Sequence, residues 1–308
     1  MDFTNNEYLL IKKRYLKFLR RRETQGKPII DKIGKLNNFY LPLSKWIYSI
    51  YKKDNKLKII GLSGGQGAGK STITAILKFI LKFRYRLDLC IFSIDDFYKT
   101  KFERKKMSER IHPLFLTRGV TGTRDLRFIN QTINHLKKKN FKPVMIPRFD
   151  KSIDDRAKKT KWVKIKKPPN IIIFEGWCVG AKSEKNSSLK KTINTMEKAK
   201  DQKQIWRKYV NHQLKSKYKD LYSQLNCLIY LKAKNFSLLQ KWRLKQERKL
   251  WVKSKVKSKI MSKENVLNFM QTYQRITQNM FRNMPKYASI IFNLNSYHQI
   301  NSAIYKKK

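Results

Sequence analysis

The 308 residues, 41% of them hydrophobic, supply apolar side chains for one large domain or two small ones. Three widely spaced cysteines, Cys90, Cys178 and Cys227, have no C-x-x-C spacing, which excludes a disulfide framework or a cysteine zinc site and fits a reducing cytosol. The formal net charge is +51, but lysines spread along the whole chain fit compositional drift better than a localised nucleic-acid or anionic-membrane surface, and leave only non-specific polyanion binding as an expectation.

The N-terminus has no long apolar run before a small-residue cleavage site, and no stretch is long enough to span a bilayer. A cytoplasmic protein without a membrane partner is expected. Residues 7–22 read as a basic amphipathic helix, with Tyr8, Leu9, Leu10, Tyr15, Leu16, Phe18 and Leu19 on its apolar face. A second helix is predicted near 43–52. The pattern then changes to apolar strands alternating with helices: strand 57–62, helix 70–84, strand 90–94, a polar loop, helix 126–138, strands 144–146 and 170–174, helix 203–222, strand 227–232, helices 235–250 and 263–281, and a last strand at 289–294. Such alternation implies an α/β fold, a central parallel sheet with helices on both faces. The expected organisation is a helical extension over 1–55 packed on an α/β core over 56–308, with a helical lid near 235–262.

The stretch LSGGQGAGKST, Leu62 to Thr72, contains two overlapping motifs. LSGGQ is the signature of ABC-type ATPases, where it opens a helix well downstream of a separate phosphate loop. Here it overlaps the sequence GGQGAGKS, Gly64 to Ser71, which spells G-x-x-x-x-G-K-[ST] between a predicted strand and a predicted helix. The phosphate-loop reading has its required context and the ABC reading does not. Gly64, Gly65, Gln66, Gly67, Ala68, Gly69, Lys70, Ser71 and Thr72 are the candidate nucleotide-binding residues. The glycines let backbone N–H groups surround an anion, and the helix N-terminus adds partial positive charge. Lys70 suits the β- and γ-phosphates of ATP, and the Ser71 hydroxyl suits Mg²⁺.

No N-K-x-D guanine motif follows, so a GTPase is not expected. Instead a carboxylate closes each of two predicted strands, Asp95 in FSIDDFY and Glu175 in IIIFEGW. Ligands of open α/β sheets bind at the carboxyl ends of strands. One carboxylate can accept the proton of an acceptor hydroxyl, and the other can hold Mg²⁺. The four histidines, His112, His135, His212 and His298, lack ligand spacing and read as structural or surface residues. Trp177 reads as core or as a pocket wall.

The order GLSGGQGAGKST, SIDDFY, IIIFEGW resembles the phosphoribulokinase/uridine kinase/pantothenate kinase superfamily of P-loop kinases, and more closely its D-glycerate 3-kinase-like branch. LPLSKWI, RGVTGTRDL, IPRFDKS with Asp155-Arg156, VN-x-x-L and WR-x-x-QE extend the resemblance over most of the chain. The resemblance implies transfer of a phosphoryl group from ATP with Mg²⁺ to a small alcohol, in the glycerate branch the 3-hydroxyl of D-glycerate. It matches Asp95 to the general base and Glu175 to the acid near the metal. A small hydroxy acid needs fixed cations for its carboxylate, preferably arginine. Arg118, Arg148, Lys151 and Arg156 are the candidates, with Asp125 and Asp150 to bind hydroxyls or hold the arginines. Arg243 and Arg248 in WRLKQERK lie where the family's lid would be and are candidates for stabilising transferring charge. Three departures stand out: Arg124 where the family has His, a short segment between Ser152 and Asp155, and the lysine-rich WVKSKVKSKI after the lid helix. The alternatives are a kinase of another alcohol, such as uridine, cytidine or pantothenate, and a nucleic-acid-associated P-loop protein. The cation-rich, aromatic-poor loops favour a small anionic acceptor.

Overall fold

The computed structural model describes residues 4–21, 30–253 and 261–306. Helix α1 (Asn5–Arg20) starts at a capping box, in which Thr4 Oγ1 accepts from the Glu7 N–H and the Glu7 carboxylate accepts from the Thr4 N–H. Its buried residues, Ile11, Tyr15 and Leu19, recur every four positions and so form one stripe. Helix α2 (Lys32–Lys35) passes through a π-helical turn, Leu36–Tyr40, into α3 (Leu41–Lys52). Strand β1 (Lys58–Gly64) leads into α4 (Lys70–Tyr85), and β2 (Leu89–Ser93) ends in a 3₁₀ turn, Ile94–Phe97. Helices α5 (Lys101–Arg110) and α6 (Leu126–Leu136) follow. Four short strands, β3 (Val144–Ile146), β4 (Phe149–Asp150), β5 (Asp155–Arg156) and β6 (Val163–Ile165), form nested antiparallel pairs, β3 with β6 and β4 with β5. The chain then runs through β7 (Ile171–Gly176), α7 (Thr195–Lys200), α8 (Ile205–Lys215), α9 (Lys217–Ser223), β8 (Cys227–Lys232), α10 (Phe236–Lys253), α11 (Lys263–Tyr287), β9 (Ile290–Leu294) and β10 (Ile300–Tyr305).

The main sheet has the order β10-β9-β8-β1-β7-β2, with β10 antiparallel at one edge and the other five strands parallel. Side chains alternate across it. Ile60, Leu62, Ile171, Ile173, Ile229 and Leu231 share one core with α1, α3, α4 and α10. Ile59, Cys90, Phe92, Ile172, Phe174 and Tyr230 share the other with α6, α8, α9 and α11. A strand buried on both faces has no polar positions to spare, so the central strands read as near-continuous apolar runs. Each fully buried aliphatic or Phe side chain contributes about 1.5–3 kcal/mol. The N-terminal helices are part of this core, since Ile11, Tyr15, Leu43 and Ile47 pack with Ile76, Leu77 and Ile80 of α4.

Four expectations need correction. The strand at 290–294 is not the last: β10 follows it as a polar edge strand whose only buried residue is Ile300. The helix expected over 203–222 is two, because the backbone at Ser216 leaves the helical region (φ −109°, ψ −103°). The polar loop before α6 contains α5, whose single buried side chain is Arg104, so no apolar stripe announces it. Helix α11 continues to Tyr287, past the expected end at 281. Residues 254–260 of the expected lid, with most of the WVKSKVKSKI run, lie outside the described residues.

Candidate active site

Strand β1 lies between β8 and β7 and delivers the chain into the loop Gly64–Gly69 at the carboxyl edge of the sheet. Gly67 (φ +80°) and Gly69 (φ +87°) adopt left-handed conformations that glycine takes without a Cβ penalty. A Cβ on Gly65 would meet the Leu239 side chain at 2.6 Å, so α10 packs directly on the loop. Lys70 Nζ donates to the carbonyl oxygens of Gly64 (2.7 Å) and Gly65 (3.2 Å). This holds the ammonium within the loop's curve. Ala68 is buried, the Gln66 Oε1 atom is buried without a hydrogen-bond partner, and Ser71 is exposed at the start of α4. Thr72 and Ile73 donate their N–H groups to the Gly69 carbonyl, which starts the helix immediately after the loop. His298, read from sequence as structural or surface, props the loop. Its Nδ1 donates to the Gly67 carbonyl at 2.7 Å, and its ring stacks on Trp242 of α10 with centroids 4.3 Å apart.

Sheet register sets the carboxylates. Glu175 of β7 lies opposite Leu62 of β1 and Ser93 of β2, so Glu175 and the turn carrying Asp95 reach the same edge as the loop. Asp95 Oδ1 accepts from Tyr98 Oη (2.8 Å) and Arg124 Nη2 (2.9 Å). Burial pushes its carboxyl up, but the charges of Arg124 and Lys151 and the hydrogen bonds from Arg124 and Tyr98 outweigh burial and hold it at about 2. The neighbouring Asp96 accepts from Arg148 Nη1 at 2.6 Å, and burial pushes its carboxyl up despite that arginine. Burial also pushes Glu175 up; Lys70 and a hydrogen bond with Ser93 oppose this, and Asp95 and Asp96 reinforce it.

The candidate acceptor residues form ion pairs around this turn. Arg118 Nη1 donates to Asp154 and its guanidinium lies over the Phe149 ring. Arg148, on Asp96, has a side chain 41% exposed and accessible to a ligand. Arg156 donates to Asp125 at 3.3 Å, while Asp125 also caps α6 by accepting from the Phe128 N–H. Asp150 sits apart from these arginines: it accepts from Ser152 and from Lys161. Lys151 is exposed on the β4–β5 turn, where its charge reaches Asp95. On α10, Arg243 pairs with Glu247 at 3.0 Å and keeps its Nε buried without a partner, whereas Arg248 is exposed. Trp177 is core: it donates to the Gly119 carbonyl at 3.1 Å and packs edge-on against Tyr273.

Sequence reasoning missed Asp96, Tyr98 and Asp154 as partners, and noted Arg124 only as a departure. The doubled aspartate in SIDDFY was the one available signal for Asp96. Nothing in the sequence pairs Tyr98 and Asp154 with their arginines, which lie 26 and 36 residues away.

Among the described residues no group of three or more His, Cys, Asp or Glu gathers into a metal cage. Mg²⁺ does not require one: it takes one or two protein oxygens and completes its shell with phosphate and water. The Ser71 hydroxyl and the Glu175 carboxylate are oxygen donors of this kind beside the loop, and a buried carboxylate gains from an added cation. The residues fit the ion. Because burial raises Glu175 above the ordinary glutamate range, proton and Mg²⁺ should compete there. The Mg²⁺ concentration needed for half-maximal activity should rise as pH falls, starting above the usual glutamate range, and Glu175→Gln should abolish that dependence. Titrations of activity against Mg²⁺ at several pH values check this.

A glycine loop between a parallel strand and a helix, with its lysine, and two carboxylates on adjacent strand ends define a P-loop phosphotransferase. No protein-family model matches the chain. It is 31% identical over 258 residues to the uncharacterized kinase mug58 of Schizosaccharomyces pombe, a match covering 81% of this chain and 87% of that one. It is 27% identical over 235 residues to the chloroplastic D-glycerate 3-kinase of Arabidopsis thaliana, covering 71% of this chain and 49% of the plant protein, so the match spans about half of that relative. The D-glycerate 3-kinase of Cryptococcus neoformans shares the fold, with TM-score 0.74 at 24% identity over 87% of this chain and 99% of that one. The chain belongs to the kinase family of mug58, is an ATP-dependent phosphotransferase of P-loop kinase fold, and is similar to D-glycerate 3-kinases in sequence and fold.

Proposed function

We propose that the protein transfers the γ-phosphoryl group of ATP to a hydroxyl of a small hydroxy acid, with D-glycerate converted to 3-phosphoglycerate. The observation that carries this reading is the cluster of cations around the Asp95–Asp96 turn, Arg148 on Asp96 and Lys151 acting on Asp95. Such a cluster suits an acceptor whose carboxylate lies a few ångströms from its reacting hydroxyl.

The loop Gly64–Thr72 holds the phosphates through backbone N–H groups, and Lys70 turns from its carbonyl partners to the β- and γ-oxygens. Ser71 and Glu175 would hold Mg²⁺, which would supply positive charge to offset that of the phosphates. Asp95 aligns the acceptor hydroxyl and takes its proton as the new O–P bond forms and the bond to ADP breaks. Arg148 and Lys151 hold the acceptor carboxylate, with Arg118 and Arg156 flanking them and Asp125 and Asp150 bracing the loops. Arg243 and Arg248 cover the transferring group from α10. The same reading takes 1–55 as a helical extension of a kinase domain over 56–308 and places the protein in the cytoplasm. No described helix is long and apolar enough to cross a membrane.

Arg148→Ala tests the acceptor assignment. It removes a charge-assisted hydrogen bond of about 1.5–3 kcal/mol, so the KM for D-glycerate should rise by about 10- to 100-fold. The KM for ATP should change by less than about twofold. Equal effects on both substrates would move Arg148 out of the acceptor site.

A further inference from the structure

The guanidinium of Arg124 is fully enclosed, with no exposed side-chain surface, yet it sits directly behind the proposed base. Nη2 donates to Asp95 Oδ1 at 2.9 Å and to Tyr98 Oη at 3.2 Å, and Nη1 donates to the Val120 carbonyl at 3.3 Å. The guanidinium lies against the rings of Tyr98 (4.8 Å) and Trp177 (6.0 Å), and its Nε is buried without a partner. The backbone fixes this arrangement. Tyr98 and Arg124 form an antiparallel bridge, flanked by bonds from the Lys99 N–H to the Thr123 carbonyl (2.9 Å) and from the Asp125 N–H to the Phe97 carbonyl (2.8 Å). Arg124 therefore cannot swing out to touch a substrate.

We infer that Arg124 is a positioning residue for phosphoryl transfer, clamping Asp95 as a fixed anion with one oxygen held from behind and the other presented to the acceptor hydroxyl. This rests on the reading of Asp95 as the proton acceptor. Both protein hydrogen bonds to the carboxylate fall on Oδ1. Rotation of the carboxylate would break both, and the buried guanidinium favours the ionised carboxylate at rest, with its second oxygen open to the hydroxyl proton. The groups facing Asp95 are Tyr98 and Asp96 from its own turn, Arg124 from the loop before α6, Lys151 from the β4–β5 turn, Glu175 and Cys178 at the end of β7, and Tyr273 from α11. Two of these are cations, and Arg124 has the larger effect on the carboxylate. Without it, burial of Asp95 is opposed mainly by Lys151 and Tyr98.

The test is steady-state kinetics with D-glycerate for the wild type, Arg124→Met and Arg124→Lys, with binding of a fluorescent ATP analogue as the check on folding. In Arg124→Met kcat should fall by roughly tenfold or more while the KM for ATP stays within about twofold. Arg124→Lys should recover most of the loss. Wild-type kcat in Arg124→Met, or an equal loss in Arg124→Lys, would overturn the inference. If Arg124→Met does not bind ATP, Tyr98→Phe carries the test: a lowered kcat at unchanged KM for ATP supports the clamp, and wild-type kcat overturns it. Asp95→Asn separates the two readings. Turnover in that variant sinks the role of Asp95 itself, whereas an idle Asp95→Asn beside wild-type kcat in the Arg124 series sinks only the clamp.

Discussion

Asp95→Asn should lower kcat by about 10²- to 10⁴-fold while ATP affinity stays within about twofold. The amide keeps the size of the side chain and can still accept from Tyr98 and Arg124, but it cannot take the hydroxyl proton. Its position next to, rather than within, the phosphate loop is why ATP binding should survive. Stability carries a second signature. The Asp95 carboxyl sits at about 2 in the folded protein, below its ordinary value of 3.8. Its contribution is therefore complete above the ordinary value and is lost as pH falls through about 2. Melting temperatures of the wild type and Asp95→Asn should differ most above pH 4 or so and converge in stronger acid. Near-normal turnover in Asp95→Asn would remove it from proton transfer.

Lys70→Ala should be at least as damaging, with kcat/KM for ATP down by about 10³-fold or more. Its ammonium is already held inside the loop by the Gly64 and Gly65 carbonyls, so it is poised for the β- and γ-oxygens with little reorganisation. The abundance of lysine elsewhere is no substitute, because charge in water is screened while charge inside a closed loop is not. Steady-state kinetics with varied ATP check this. Activity within about fivefold of the wild type would mean that Arg243 or Arg248 carries the transferring charge instead.

The parts of the site that were legible in the sequence are those where chemistry dictates residue type at fixed spacing. Gly67 and Gly69 need left-handed backbone, Lys70 and Ser71 follow at once, and Asp95 and Glu175 end apolar strands. The central strands were legible for a related reason: burial on both faces leaves near-continuous apolar runs, such as Ile171 to Phe174. Helix α5 and strand β10 were not, because neither has an apolar stripe. The ion pairs Arg148–Asp96 and Arg124–Asp95 join separate loops, and only the tertiary fold brings them together. A chain with 72 Lys and Arg residues offers too many cations for sequence alone to select the few that matter.

Release of ADP by the purified protein with ATP and Mg²⁺ tests the central claim most directly, measured against D-glycerate, L-glycerate, uridine, cytidine, pantothenate and ribulose 5-phosphate in parallel. The account predicts stimulation by D-glycerate, with 3-phosphoglycerate as the product, and none by the nucleosides. Stimulation by uridine or cytidine with D-glycerate inert would contradict it, and would mean that the arginines around Asp95 and Asp96 serve the fold rather than an acceptor carboxylate.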